Sequence, residues 1–149
     1  MTVIEPEGTP ISVGVLLFIP YRHLEQRILA AVNEAGFAIT LPQARLVQRL
    51  DPAGSRLTDL AAAAQVSKQA AGYLVDELER ARFVTRTPDP DDRRARLIVI
   101  AERGRAAAAV ALREQQRAEG EWEAHVGAER MAELRRILED LRTITDPWR

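Results

Sequence analysis

One short segment of the chain carries side chains of the types that bind nucleic acid. With residues 67–82 placed on a helix, Lys68, Gln69 and Tyr73 share an exposed face near its N-terminus. Lysine and glutamine reach base edges and phosphates, and tyrosine adds an aromatic ring and a hydroxyl. Gly72 on the same face costs roughly 1 kcal/mol relative to alanine, which predicts close approach of a binding partner. The alternative is an ordinary solvated face with a tolerated glycine.

A charged hairpin is predicted directly after this helix. Residues 83–85 and 96–100 have strand propensity, and a Pro- and Asp-rich turn, TPDPDDRR, separates them. Its arginines suit a phosphate backbone or the negative potential of a minor groove. They are Arg93, Arg94 and Arg96. Because the turn also carries Asp89, Asp91 and Asp92, which repel phosphate, at least one of these is expected to turn inward and cap the loop or pair with an arginine. The alternative is a solvated charged hairpin.

A helix-turn-helix would position the exposed face. The opposite side of residues 67–82 has apolar residues at helical spacing. They are Ala71, Leu74, Val75, Leu78 and Ala81. Ser67 is the predicted N-cap, because its hydroxyl can accept from a backbone N–H of the first turn. An alanine-rich helix over residues 57–64 and a tight turn at Gln65 and Val66 complete the helix-turn-helix spacing.

The hairpin contains a recognisable motif. An Asp-x-x-Asp-Arg-Arg turn, an apolar strand and a helix-starting glycine follow one another as Asp89, Asp92, Arg93, Arg94, residues 97–100 and Gly104. With this motif and the preceding helices, the run LTDLAAAAQVSKQAAGYLVDELERARFVTRTPDPDDRRARLIVIAERG resembles the winged helix-turn-helix core of the MarR family of bacterial transcriptional regulators. The Leu-Thr that usually ends the strand is Ile100-Ala101 here, so a threonine cap is missing. The resemblance implies a mainly helical, α+β winged-helix fold with residues 40–100 as the winged helix-turn-helix.

Length and composition fit one domain, residues 1–149. No stretch approaches the roughly 18 apolar residues of a membrane span, and no signal peptide is visible, so a cytoplasmic protein without a membrane partner is expected. The absence of cysteine excludes disulfides, thiolate–zinc sites and a cysteine-based oxidation switch. Because the net charge is −1, a positive surface for nucleic acid must come from local geometry.

Helices are predicted before and within the N-terminal part of the winged core. Residues 1–10 read as a loose polar tail. Residues 11–36 follow a helical rhythm, in which Pro20 implies a kink or a late helix start and Gly36 ends the helix. A Thr-x-x-Gln capping box at residues 40–43 starts the next helix.

Two further helices are predicted after the hairpin, over residues 102 to about 124 and 128–144. The last carries an apolar stripe of Met131, Leu134, Ile137, Leu138, Leu141 and Ile144. Such a stripe is usually core, yet the chain has more apolar helical surface than a small winged domain covers. Burial against a second copy accounts for the excess. The resemblance implies that residues 11–36 and 102–146 are dimerisation helices.

The resemblance also implies a sequence-specific regulator, typically a repressor, that binds double-stranded DNA as a homodimer on a pseudo-palindromic operator. The predicted DNA contacts are Lys68, Gln69 and Tyr73 in the groove, with close approach at Gly72, Ser67 and Arg96 on phosphate, and Arg93 or Arg94 at the minor groove. Family members commonly bind a small aromatic or apolar effector between the dimerisation and DNA-binding regions. Tyr21, His23 and Trp122 are the candidate ligand-binding residues, with packing or rim positions as the alternative.

No cofactor, metal site or enzymatic activity is predicted. His23 and His125 are the only histidines and lie far apart, and the sequence shows no Gly-rich phosphate loop or Ser/His/Asp arrangement. Two alternatives stay open. One is a catalytic site assembled across a dimer. The other is a winged-helix protein-interaction module without DNA-binding activity, in which Asp76, Glu77 and Glu79 suppress phosphate affinity.

Overall fold

Six helices and one antiparallel hairpin make up residues 8–148, the part of the chain that this computed structural model describes. Their order is α1 (Val13–Glu34), α2 (Leu41–Val47), α3 (Leu57–Ala64), α4 (Lys68–Arg80), β1 (Val84–Asp89), β2 (Asp92–Ile100), α5 (Glu102–Val126) and α6 (Ala128–Thr145). The predicted mainly helical winged-helix class is confirmed. Residues 1–7 of the predicted tail lie outside the described part. None of the helices in residues 8–148 has the length and apolarity that crossing a bilayer demands.

Helix α1 begins well before its proline. Ser12 caps it by accepting the N–H of Val15 at 3.3 Å, and the helix continues through Pro20. A late helix start is therefore wrong, because Pro20 is accommodated inside the helix, where it removes one backbone hydrogen bond. Gly36, with a φ of 93°, follows the C-cap in the left-handed conformation that glycine adopts without steric cost.

The capping box at the start of α2 is confirmed and links two helices. Thr40 Oγ1 accepts the N–H of Gln43 at 3.4 Å, and Gln43 Oε1 accepts the N–H of Thr40 at 3.0 Å. The amide Nε2 of Gln43 also donates to Glu77 Oε2 at 3.2 Å. Because Glu77 is on α4, the buried Gln43 side chain ties the start of α2 to the second helix of the helix-turn-helix.

The hydrophobic core lies where α2, α3, α4 and the hairpin meet. Its largest fully buried side chains are Leu46, Val75, Leu78, Phe83 and Val84. The predicted inner face of α4 is confirmed for Ala71, Val75 and Leu78, which are fully buried, and for Leu74, which packs against the core. Ala81 is exposed, so its assignment to the core was wrong. The reason is that α4 ends at Arg80, and Ala81 is already the C-cap.

The tight turn between α3 and α4 is confirmed. Gln65 is the C-cap of α3 and adopts the left-handed conformation, with φ 56° and ψ 42°. The N–H of Val66 then returns to the carbonyl of Ala61 at 3.0 Å. This left-handed residue ends α3 and lets the chain enter α4 after Val66 and Ser67, with the polar face of α4 exposed.

Gly104 lets α5 pack tightly against the base of the hairpin. A Cβ on this glycine would lie 2.2 Å from the Phe83 carbonyl oxygen and 2.8 Å from Ile100 Cγ1. The same carbonyl accepts the N–H of Ala101 at 2.9 Å. The motif glycine is therefore a packing requirement. The missing threonine also has its expected consequence, since Ala101 is the N-cap of α5 and makes no side-chain cap hydrogen bond.

The two long helices of the N- and C-terminal parts are joined by ion pairs. Arg27 on α1 donates to Glu114 at 2.6 Å and to Glu121 at 2.5 Å on α5. The hydrogen bonds from Glu121 and Glu114 hold the pKa of Arg27 above its usual range. Helix α6 follows Gly127, whose φ is 95°, and none of its residues is buried. The apolar stripe of α6 is thus left exposed in the single chain.

Candidate nucleic-acid interface

The first turns of α4 present the predicted contact residues to solvent. Ser67 caps the helix, accepting the N–H of Ala70 at 3.0 Å, as expected, and its hydroxyl proton stays available to donate. Lys68 and Gln69 are exposed, and Tyr73 is 65% exposed. Within residues 8–148, the side chains of Lys68, Gln69 and Tyr73 engage in no hydrogen bond or ion pair. Their donors and acceptors are therefore available to a partner.

Asp76, an acid on the same face, is held by an arginine of the hairpin. Arg86 on β1 donates to Asp76 Oδ1 at 2.8 Å and to Glu79 Oε1 at 2.9 Å. An acid on a face assigned to DNA is expected to turn away from phosphate or to be held by an arginine of the hairpin, and the ion pair between Asp76 and Arg86 is the second case. Sequence reasoning did not single out Arg86. Its partners lie seven and ten positions away on another element, so no local pattern identified it.

Replacing Arg86 by alanine is expected to weaken DNA binding by roughly 0.5–1 kcal/mol, because Asp76 and Glu79 would then repel phosphate without a counter-charge. Fluorescence anisotropy with labelled duplex would measure this for wild type, Arg86→Ala, Asp76→Asn and the double variant. A neutralising role predicts that Arg86→Ala costs less in the Asp76→Asn background. Equal losses in both backgrounds would instead indicate that Arg86 contacts phosphate itself.

Gly72 lies on the exposed face but is not required by the fold. A Cβ there would meet Leu57 Cδ2 at 3.7 Å, which is ordinary van der Waals contact. The helix itself would gain from a side chain, since glycine inside a helix costs roughly 0.5–1 kcal/mol relative to alanine. Packing within the described residues therefore does not require glycine here, and close approach of a partner stays the predicted reason for it.

Gly72→Ala is expected to raise the free energy of unfolding by roughly 0.5–1 kcal/mol and to weaken DNA binding. Thermal unfolding and duplex binding measure the two effects separately. Gly120→Ala on α5 is the matched control, because a Cβ at Gly120 meets nothing within 4 Å. It should stabilise the protein by a similar amount, and DNA affinity should stay unchanged as long as light scattering shows the same oligomeric state as wild type. Unchanged DNA affinity in Gly72→Ala would contradict close approach at this position.

The hairpin has longer strands and a tighter turn than predicted. Strand β1 runs to Asp89 and β2 starts at Asp92, so much of the predicted turn is paired strand. Pairing is regular from Val84 to Pro88 and then shifts: Pro88 is opposite Arg96, whereas Asp89 is opposite Asp92. Residues 93–95 form the extra length of this irregularity. Bulged residues re-aim side chains, and Arg93 and Arg94 in this irregular part are exposed.

The charged residues at the hairpin tip differ in whether their side chains make contacts within the protein. Arg93 and Arg94 are exposed, and no ion pair or side-chain hydrogen bond within residues 8–148 uses either guanidinium group. Asp92 Oδ1 accepts the backbone N–H of Arg94 at 3.0 Å. Arg96 donates to the Arg86 carbonyl at 3.0 Å. Arg96 is therefore partly committed to the hairpin, while Arg93 and Arg94 keep their full donor capacity.

Asp89 is the acid of the turn that points inward, as predicted for at least one of the three. It is only 6% exposed, accepts the N–H of Asp91 at 2.9 Å, and pairs with Arg56 at 2.7 Å. The hydrogen bond from the Asp91 backbone, followed by the Arg56 side chain, lowers the pKa of Asp89. This expectation is confirmed. Arg56, 33 positions earlier, was missed because it precedes α3 and carries no local signal of its partner.

These features, in this order, are those of a known family. The sequence profile of the MarR family matches residues 38–95, the segment from α2 into the hairpin. The fold resembles the crystal structure of MarR with a TM-score of 0.75 at 20% identity, covering 95% of each chain. Residues 38–95 carry a winged helix-turn-helix of the MarR type. In this fold α4 occupies the position of the recognition helix, and β1–β2 form the wing.

Two structures from Mycobacterium tuberculosis are also similar. RV1404 superposes with a TM-score of 0.71 at 24% identity over 92% of this chain and 96% of its own. The MarR family protein RV2887, in complex with salicylic acid, superposes with a TM-score of 0.65 at 29% identity, over 89% of this chain and 97% of its own. A search of curated proteins found no match. The fold is therefore that of MarR proteins along nearly the whole chain.

An apolar cavity of about 230 Å³ lies between α1, α2 and the start of α5. Its walls include Ile28, Val32, Val47, Phe83, Ile100 and Ala107. Glu25 and Gln48 are the polar residues among those described that line it. The cavity thus borders both the long helices and the winged core.

The three predicted ligand residues do not line this cavity. Tyr21 borders a more open hollow that includes Arg45 and Trp148, and its hydroxyl donates to Glu25 Oε2 at 3.2 Å. Burial, followed by the charge of Glu25, raises the pKa of Tyr21. His23 is exposed and Trp122 is half-buried. The assignment of Tyr21, His23 and Trp122 to a ligand site stays a prediction. Across residues 8–148, no cluster of three or more His, Asp or Glu residues could hold a metal ion.

Proposed function

We propose that this protein is a MarR-family regulator that represses transcription by binding a pseudo-palindromic operator as a homodimer, and that a small molecule releases it. The observation that carries the DNA-binding part is the set of unpaired donors at Lys68, Gln69, Arg93 and Arg94, on one winged helix-turn-helix. The nearby acids Asp76 and Asp89 are already held by arginines.

The proposed contacts follow the geometry of such domains. Lys68, Gln69 and Tyr73 on the recognition helix would reach base edges in the major groove, with the backbone close to DNA at Gly72. Ser67 and Arg96 are assigned to phosphates. Arg93 or Arg94 would enter the minor groove or bind its edge, where the potential is negative.

The exposed apolar surface supports a homodimer. On α6, Leu134, Ile137, Leu138, Leu141 and Ile144 are all exposed, Ile144 by 82%. The N-terminal half of α1 is similar, with Leu16, Phe18 and Ile19 exposed. An apolar surface of this extent marks an interface. We therefore assign residues 11–36 and 102–146 to dimerisation, and residues 40–100 to DNA binding.

A dimer sets the spacing of the two recognition helices. Two-fold symmetry places them in successive major grooves about one helical turn apart, which is why the operator should be a pseudo-palindrome. A ligand lowers DNA affinity only to the extent that it binds more tightly to a conformation in which the spacing of the two recognition helices does not match the operator. The apolar cavity is the proposed effector site, because it lies where α1 and α5 meet the winged core.

The deciding experiment is binding to duplex DNA from the protein's own promoter region across a salt series. Neutralisation of phosphates by Lys and Arg predicts a linear fall of log affinity with log salt, with a slope of about −0.9 per phosphate contacted. Absence of binding at low salt would contradict the DNA-binding proposal. It would favour the protein-interaction module, in which Asp76, Glu77 and Glu79 oppose phosphate.

A further inference from the structure

The lining that residues 8–148 give the proposed effector cavity contains a carboxylate but no cationic side chain. Among its described lining residues there is no Arg, Lys or His, and Glu25 is its charged side chain. The other polar lining residue, Gln48, is neutral. A ligand inside would therefore find apolar walls, one amide and a carboxylate, but no cation.

The Glu25 carboxylate is buried and fully committed. Glu25 is 8% exposed, and Arg45 donates to its two oxygens at 2.8 Å each. Tyr21 adds a third hydrogen bond at 3.2 Å. The hydrogen bond from Arg45 lowers the pKa of Glu25 despite its burial, so the carboxylate is ionised at neutral pH. Arg45 itself is not part of the cavity wall.

We infer that the cavity accepts uncharged apolar molecules and rejects aromatic carboxylates, with Glu25 as the group that excludes anions. This rests on the cavity being the effector site proposed above. Burying an anion without a cationic partner carries a large desolvation penalty, and a neighbouring carboxylate adds repulsion. The preferred ligand is uncharged, whereas salicylic acid, the compound in the RV2887 complex, is an anion at neutral pH.

The cavity volume limits the ligand to a small ring system. An engineered apolar cavity of about 150 Å³ binds benzene, so the 230 Å³ here holds a substituted ring. Ile28, Val32 and Phe83 supply apolar contact, and the Gln48 amide offers a donor and an acceptor. A neutral aromatic amide or phenol suits both features.

The test compares salicylamide with salicylate, which have nearly the same shape and differ in charge at neutral pH. Isothermal titration calorimetry on the full chain should show salicylamide binding wild type at least roughly tenfold more tightly than salicylate. In Glu25→Gln, the difference in affinity between the two compounds should narrow or reverse, because the carboxylate charge is removed and no longer balances the charge of Arg45. Gln can still accept from Arg45, which is itself largely exposed, so the fold should be retained. Thermal unfolding checks this.

A cavity-filling variant locates the binding. Ala111→Phe should abolish binding of both compounds, because Ala111 lines the cavity and is only partly buried. Equal affinity of wild type for the two compounds would overturn the charge inference while leaving the effector site intact. So would an unchanged preference in Glu25→Gln. Failure of both compounds to bind, or binding that survives in Ala111→Phe, would overturn the site itself. Binding of the same preparations to duplex DNA tests the DNA-binding proposal separately from the ligand measurements.

Discussion

Alanine in place of Arg94 is expected to weaken operator binding by about 1–3 kcal/mol, roughly 5- to 150-fold, while the dimer stays intact. Arg94 lies in the irregular part of β2, is exposed, and keeps its guanidinium unpaired within residues 8–148. Its loss removes a donor from the DNA surface without breaking a contact in the protein. Fluorescence anisotropy on operator DNA at fixed salt measures the change, and light scattering confirms the dimer.

Arg93→Ala and Arg136→Ala are the comparisons for this prediction. Arg136 is also an exposed arginine, paired with Glu133 on α6 and distant in sequence from the wing, so its loss changes net charge equally without affecting the operator. If Arg94→Ala binds the operator normally and Arg93→Ala binds it more weakly, the minor-groove contact is made by Arg93 and not by Arg94. Normal binding by both variants would show that the wing does not contact DNA.

Glutamate in place of Leu138 is expected to convert the dimer to a monomer and to reduce operator affinity by more than an order of magnitude. Leu138 is exposed on the apolar stripe of α6, so the single chain keeps its fold. In a dimer, two buried glutamates without partners would cost several kcal/mol. A monomer also binds only one half-site. It therefore loses the large gain in affinity that a dimer has from binding two half-sites at once. Light scattering and anisotropy measure the two effects.

Ala132→Glu is the matched control for Leu138. Ala132 is exposed on α6, and its position in the helical repeat is opposite to the stripe. The same charge added there should leave both the dimer and DNA binding unchanged. A dimeric Leu138→Glu variant would show that α6 lies outside the interface. A folded wild-type monomer at micromolar concentration would contradict the homodimer itself.

Local rules explain why much of the fold was predictable. The core positions of α4, the Ser67 cap and the capping box from Thr40 to Gln43 depend on residues three or four positions apart. Helical spacing and cap chemistry act over that range, so the sequence shows them directly. Where prediction erred, the local signal was ambiguous. Pro20 is tolerated inside α1, and six of the eight residues of the Pro- and Asp-rich segment lie in the two strands.

The sequence by itself determined the helix-turn-helix, the wing and which polar residues lie exposed on them, because spacing and turn chemistry encode these features. Only the tertiary structure decided how the acids beside those residues are controlled. Arg86 holds Asp76, and Arg56 holds Asp89 from 33 positions away. The structure also decided where the apolar cavity lies and that Glu25 is its charged wall. These features join residues far apart in the chain, and only packing brings them together.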